Sequence, residues 1–101
     1  MVDPASFPIV RISARELRRR FNQLLENPPA GLREVLWKER HPAPERSGEP
    51  TCTRSQMISY VCGGTEIARA HRYLRPDGSI GGSGKPDPKL LIADGKRYIP
   101  F

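Results

Sequence analysis

The sequence predicts an α+β fold, with an N-terminal helical hairpin packed against a small, mostly antiparallel β-sheet that ends in a C-terminal β-hairpin. Three observations carry this. Ser13 and Glu16 form a capping box ahead of an amphipathic run, apolar spacing resumes after Pro28 and Pro29, and β-forming residues flank Asp94 and Gly95 near the C-terminus. The 101 residues are expected to form one small domain, 1–101, too short for a second core or a large enclosed cofactor site. Nine glycines and eleven prolines exceed their usual combined share of about 12%, so short elements joined by many turns are expected.

The elements follow in chain order. Ile9, Val10 and Ile12 favour an extended run. Ser13 then caps a helix over residues 13–27: its hydroxyl accepts a first-turn N–H while the Glu16 carboxylate reaches back. Leu17, Phe21, Leu24 and Leu25 fall on one face at helical spacing, with Arg15, Arg18 and Arg19 on the other. Glu16 and Arg20 are spaced as a favourable pair. Pro28 and Pro29 end this helix, and Asn27 can cap a second one that carries Pro28 in its first turn. Leu32, Val35 and Leu36 would be its apolar stripe, Glu34 and Lys38 a pair on its surface, and Trp37 would lie beside the stripe. Pro42, Pro44, Gly48 and Pro50 mark 41–50 as a linker or surface loop within the domain.

Residues 51–61 suit a short helix or a strand. Residues 66–75 read as a strand in preference to a helix, because the turn sequence Arg75, Pro76, Asp77, Gly78 that ends them usually joins antiparallel strands. As a strand, this segment places Ile67, Arg69, His71 and Tyr73 on one face and Ala68, Ala70, Arg72 and Leu74 on the other. The final hairpin pairs Leu90–Ala93 with Lys96–Ile99 around Asp94-Gly95, a dipeptide suited to the positive φ angles of a two-residue turn.

The stretch from Asp77 to Lys89 is where chemistry is expected. Gly84-Lys85 resembles the end of a phosphate loop. However, Ser79 stands where its first glycine belongs, and Pro86 replaces the metal-binding hydroxyl. What remains is a looser oxyanion nest from the amides of Gly81, Gly82 and Gly84, with Ser83 and Lys85 beside them. The net charge of +6 is spread evenly along the chain, so a polyanion site must come from local clusters. The densest cluster surrounds this loop.

The expected function is therefore binding of a nucleic-acid backbone, RNA foremost, through Arg69, Arg72, Tyr73, Arg75, Ser83, Lys85 and Lys89 around the 76–89 loop. His71 is the candidate catalytic residue for metal-independent phosphodiester cleavage, since imidazole transfers protons near neutral pH. His41, in the Pro-rich stretch, is expected to be solvated. The alternative is a protein-interaction module without enzymatic activity, using the Trp37 helix face or a hairpin edge.

No cofactor or metal is expected. His41, Cys52, Cys62 and His71 lack the close ligand pair of a structural zinc site, and Cys52 and Cys62 are spaced as neither a disulfide framework nor a redox pair. The apolar runs are too short to span a membrane, and Met1 to Pro4 carry none of the basic and apolar features of a signal peptide. A cytoplasmic protein with free thiols is expected.

Overall fold

The computed structural model describes residues 3–101; Met1 and Val2 lie outside the described residues. After a short 3-10 turn at Pro4–Ser6, the chain forms strand β1 (Ile9–Ile12) and helix α1 (Ala14–Glu26). The Ser13 hydroxyl accepts from the Glu16 amide at 3.1 Å, as a helix cap requires. The Glu16 carboxylate does not reach back to the cap. It accepts instead from Arg19 and from Arg20, the latter at 3.0 Å, and these guanidinium hydrogen bonds hold its pKa down to about 2.

The second helix does not exist. Strand β2 (Arg33–Arg40) stands in its place, so the helical hairpin becomes a single helix. The run Val35, Leu36, Trp37 has β-branched and aromatic content that a strand accommodates as well as a helix. A helix of this length gains little by itself, and pairing with the next strand decides the outcome. That strand is β3 (Arg54–Cys62), and Val35 lies opposite Ser59 in an antiparallel ladder. Glu34 consequently pairs with Arg72 at 3.4 Å, away from Lys38. Gly31, at φ +81°, supplies the left-handed turn by which the chain leaves Pro28 and Pro29 to enter β2.

β3 continues through Gly63-Gly64 into β4 (Thr65–Leu74), so both segments 51–61 and 66–75 contribute strands. β5 (Asp87–Ala93) and β6 (Lys96–Pro100) form the C-terminal hairpin, with Asp94 at φ 53° and Gly95 at φ 68° in its turn. The sheet has six strands in the order β1-β6-β5-β4-β3-β2. It is mixed, not simply antiparallel, because β1 runs parallel to β6 with Ile9 opposite Arg97. Two backbone bonds seal this closure, Arg97 N–H to Pro8 at 2.8 Å and Phe101 N–H to Ile12 at 3.1 Å.

α1 covers one face. Leu17 and Phe21 are fully buried against Ile58, Tyr60, Ala68, Ala70, Leu91 and Tyr98, and Leu24 and Leu25 pack at the margin. Phe21 meets Tyr60 edge-on at 5.2 Å. The small residues Ala68 and Ala70 on β4 leave room for the helix to approach the sheet. Among the described residues, no helix lies over the opposite face.

Candidate nucleic-acid interface

β5 starts opposite His71, so the last residues of β4 run past it without a strand partner on that side. The chain fills part of the gap by turning back. Arg75 accepts from the Gly78 amide at 2.9 Å, Leu74 bridges Ile80, and the Gly81 amide donates to Tyr73 at 2.8 Å. Between this returning loop and the start of β5 lies a cleft of about 350 Å³. His71, Arg72 and Tyr73 line it from β4, Ser83 and Lys85 from the loop, Asp87 and Lys89 from β5, and Arg18 from α1.

Six of the eight residues singled out in the sequence therefore meet here: His71, Arg72, Tyr73, Ser83, Lys85 and Lys89. The other two do not. Arg69 lies on the uncovered face of the sheet, where Glu66 holds it and its guanidinium rests 4.2 Å from the Trp37 ring centroid. Arg75 donates to Glu49 at 2.8 Å and orders the loop from behind.

Glu49 is the functional surprise of the 41–50 stretch. Its side chain is only 6% exposed, and its carboxylate also accepts from the Gly82 amide at 2.8 Å. The Arg75 hydrogen bond, with help from that amide, lowers its pKa below the usual carboxylate value. The expected oxyanion nest is thus already filled from within. Gly82 donates to Glu49, Gly81 to Tyr73 and Gly84 to Gly81, so these three amides are already engaged within the chain. Gly81 is glycine for a spatial reason, since a Cβ there would overlap the Glu49 carboxylate.

The charges in the cleft are unequal. Asp87 pairs with Lys89 at 2.8 Å and approaches Arg18 at 3.8 Å. Arg72 donates to Gln56 at 2.9 Å and to Glu34 at 3.4 Å. Lys85 has no carboxylate partner among the described residues. One carboxylate thus faces four cations within the cleft.

His71 stands at the boundary with the uncovered face. Its Nε2 is 2.7 Å from the Ser55 hydroxyl, and its ring meets Tyr73 edge-on at 4.7 Å. Burial lowers its pKa below the ordinary histidine value, the Lys89 charge adds to this, and Asp87 opposes it. The imidazole is accordingly neutral at pH 7 and able to accept a proton.

Sequence reasoning missed Arg18 and Asp87 as cleft residues and Glu49 as the clamp. Asp87 carried a weak signal, being an acidic residue inside the Gly/Pro loop. Arg18 and Glu49 carried none, because each reaches the site from a distant part of the chain. Among the described residues, no group of three His, Cys, Asp or Glu side chains converges as a metal site, and no helix is long and apolar enough to cross a membrane. Cys52, two residues before β3, and Cys62, the last residue of β3, are free thiols. Comparison with protein-family models, with curated proteins and with solved structures finds no match to this chain.

Proposed function

We propose that the protein binds the phosphate backbone of a nucleic acid, RNA foremost, in the cleft at the end of β4. The observation that carries this reading is the convergence of Arg18, Arg72, Lys85 and Lys89 on one concave site that holds a single carboxylate. Cations clustered in a concavity focus their field more strongly than the net charge of +6 suggests. Arg72, fixed by Gln56 and Glu34, offers a pre-oriented guanidinium, while the unpaired Lys85 is free to follow a phosphate.

Cleavage is the extension of the same reading. A neutral His71 can take the 2′-hydroxyl proton while the cations stabilise the developing phosphorane charge. The leaving 5′-oxygen requires a second proton donor, and the geometry selects none. His71 is thus a binding residue unless products with 2′,3′-cyclic phosphate ends appear.

The alternative reading, a protein-interaction module, draws support from the exposed Val35, Leu36 and Trp37 of β2. That edge is nonetheless poorly suited to accepting another strand. It carries an irregularity between Leu36 and Lys38, and Arg33, Glu34, Lys38, Glu39 and Arg40 along its length. Bulges and charges of this kind blunt sheet edges.

The test is a titration of single-stranded RNA and DNA at low and moderate salt. Binding should weaken steeply as salt rises, and Lys85→Ala with Lys89→Ala should lower the logarithmic salt slope by about 2. No measurable binding at low salt would sink the reading and favour the protein-partner alternative.

A further inference from the structure

On the face that α1 leaves bare, β2 and β4 flank a floor of Ser55, Met57 and Ser59 supplied by β3. Lys38 and Arg40 rise from β2, Arg69 and His71 from β4, and the rims stand about two strand spacings, or roughly 10 Å, apart. A trough of about 150 Å³ runs between Lys38 and Arg40 on one side and His71 on the other, and His71 lines both this trough and the proposed phosphate cleft. We infer that the trough, together with the two rings beside it, Trp37 against Lys38 and Tyr73 against His71, forms a stacking platform for the bases of a single-stranded nucleic acid. The inference rests on the proposed phosphate binding and extends it to the strandedness of the substrate.

Trp37 carries the argument. It is 52% exposed, yet two cations pin it in place. The Arg69 guanidinium lies 4.2 Å from its ring centroid and the Lys38 ammonium 4.9 Å. Glu66 fixes Arg69 with two hydrogen bonds and also accepts from Ser59. A large aromatic ring held rigid in water has little conformational entropy left to lose when a flat partner arrives.

The chemistry then selects the occupant. It must offer a π-face that replaces a cation over the Trp37 ring, and negative charge to the displaced cation and to Arg40. A nucleotide offers both. An acidic peptide offers charge without a succession of flat rings, and a duplex keeps its base faces stacked on one another. The carboxylates near the trough do not counter this, because Glu39 is held by Arg54 and Gln56, and Glu66 by Arg69 and Ser59. Lys38 and Arg40 have no carboxylate partner among the described residues. A strand bound with its phosphates in the cleft would pass His71 and Tyr73 and lay its next bases towards Trp37.

Trp37 is the sole tryptophan, so its emission reports on the platform directly. The full chain would be titrated with a fluorescein-labelled twelve-nucleotide RNA, either single-stranded or annealed to its complement, following both anisotropy and tryptophan emission. The single strand should quench Trp37 and the duplex should not. Trp37→Leu should weaken single-strand binding about tenfold and leave duplex binding unchanged, while Trp37→Phe should recover most of the loss. Circular dichroism of each variant would confirm that it is folded. Single-strand binding that depends on Lys85 and Lys89 but leaves Trp37 emission and the Trp37→Leu affinity unaltered would overturn the platform while sparing the cleft. No binding by either form at low salt would remove both readings together.

Discussion

Glu49 shows how much one side chain can decide. A single carboxylate, almost wholly removed from solvent, ties Arg75 at the end of β4 to the Gly82 amide in the loop. Remove it, and a guanidinium and a backbone N–H both lose their acceptor. The glycines of 81–84 then revert to the flexible crossing that their composition alone suggests. Glu49→Gln keeps the shape and discards the charge, so it isolates the electrostatic part. Because the folded-state pKa of Glu49 lies below its unfolded value, the charge contributes stability that is present above pH 4.5 and lost as pH falls through the folded value. Urea unfolding should therefore find Glu49→Gln less stable than wild type at pH 7, with the gap closing as pH falls below 4.5. A gap independent of pH would mean that the Arg75 pair contributes nothing through charge. Gly81→Ala should mimic the loss by pushing the carboxylate out of its site.

Among the elements, those legible in the sequence are those decided within a few residues of themselves. The Ser13 cap, the Leu17–Phe21 face and the Asp94-Gly95 turn are local physics, and all three are present. β2 was not legible. Leu32, Val35 and Leu36 satisfy helical spacing, Asn27-Pro28 satisfies a helix start, and only pairing with β3 settles the matter. The same distinction runs through the site. His71, Arg72, Tyr73, Ser83, Lys85 and Lys89 lie within twenty residues of one another and line one cleft, whereas Arg18 reaches that cleft, and Glu49 the loop beside it, by tertiary packing that no local pattern signals. Since α1 is the only helix among the described elements that covers the sheet, its central contact should be costly to lose. Phe21→Ala removes a fully buried ring and its edge contact with Tyr60. The expected destabilisation in urea is about 3–5 kcal/mol, and a loss below about 1 kcal/mol would show that the core collapses to fill the space.

At the scale of the whole molecule, one helix is laid over a sheet too wide for it. Thirteen residues of α1 span about 20 Å and pack mainly on β5 and β6. β2 lies at the far edge with every residue exposed, held by β3 on one side and by the cations around Trp37. β1 is also an edge, but it is tied into the core through Ile12 and Val10 and runs straight into the helix. The two edges should therefore differ in stability. Strands with few buried contacts open locally at a fraction of the global free energy. Hydrogen exchange read by mass spectrometry should find the amides of 33–40 exchanging well before those of 68–71, which are paired to strands on both sides and backed by Phe21 and Leu17. The difference bears on the proposed function, because β2 carries one rim of the trough. If a single strand of RNA bridges β2 and β4, its binding should slow exchange in 33–40 more than anywhere else in the sheet. Equal protection of β2 and β4 in the free protein would show that the bare edge is anchored by something other than its ladder and the pinned Trp37.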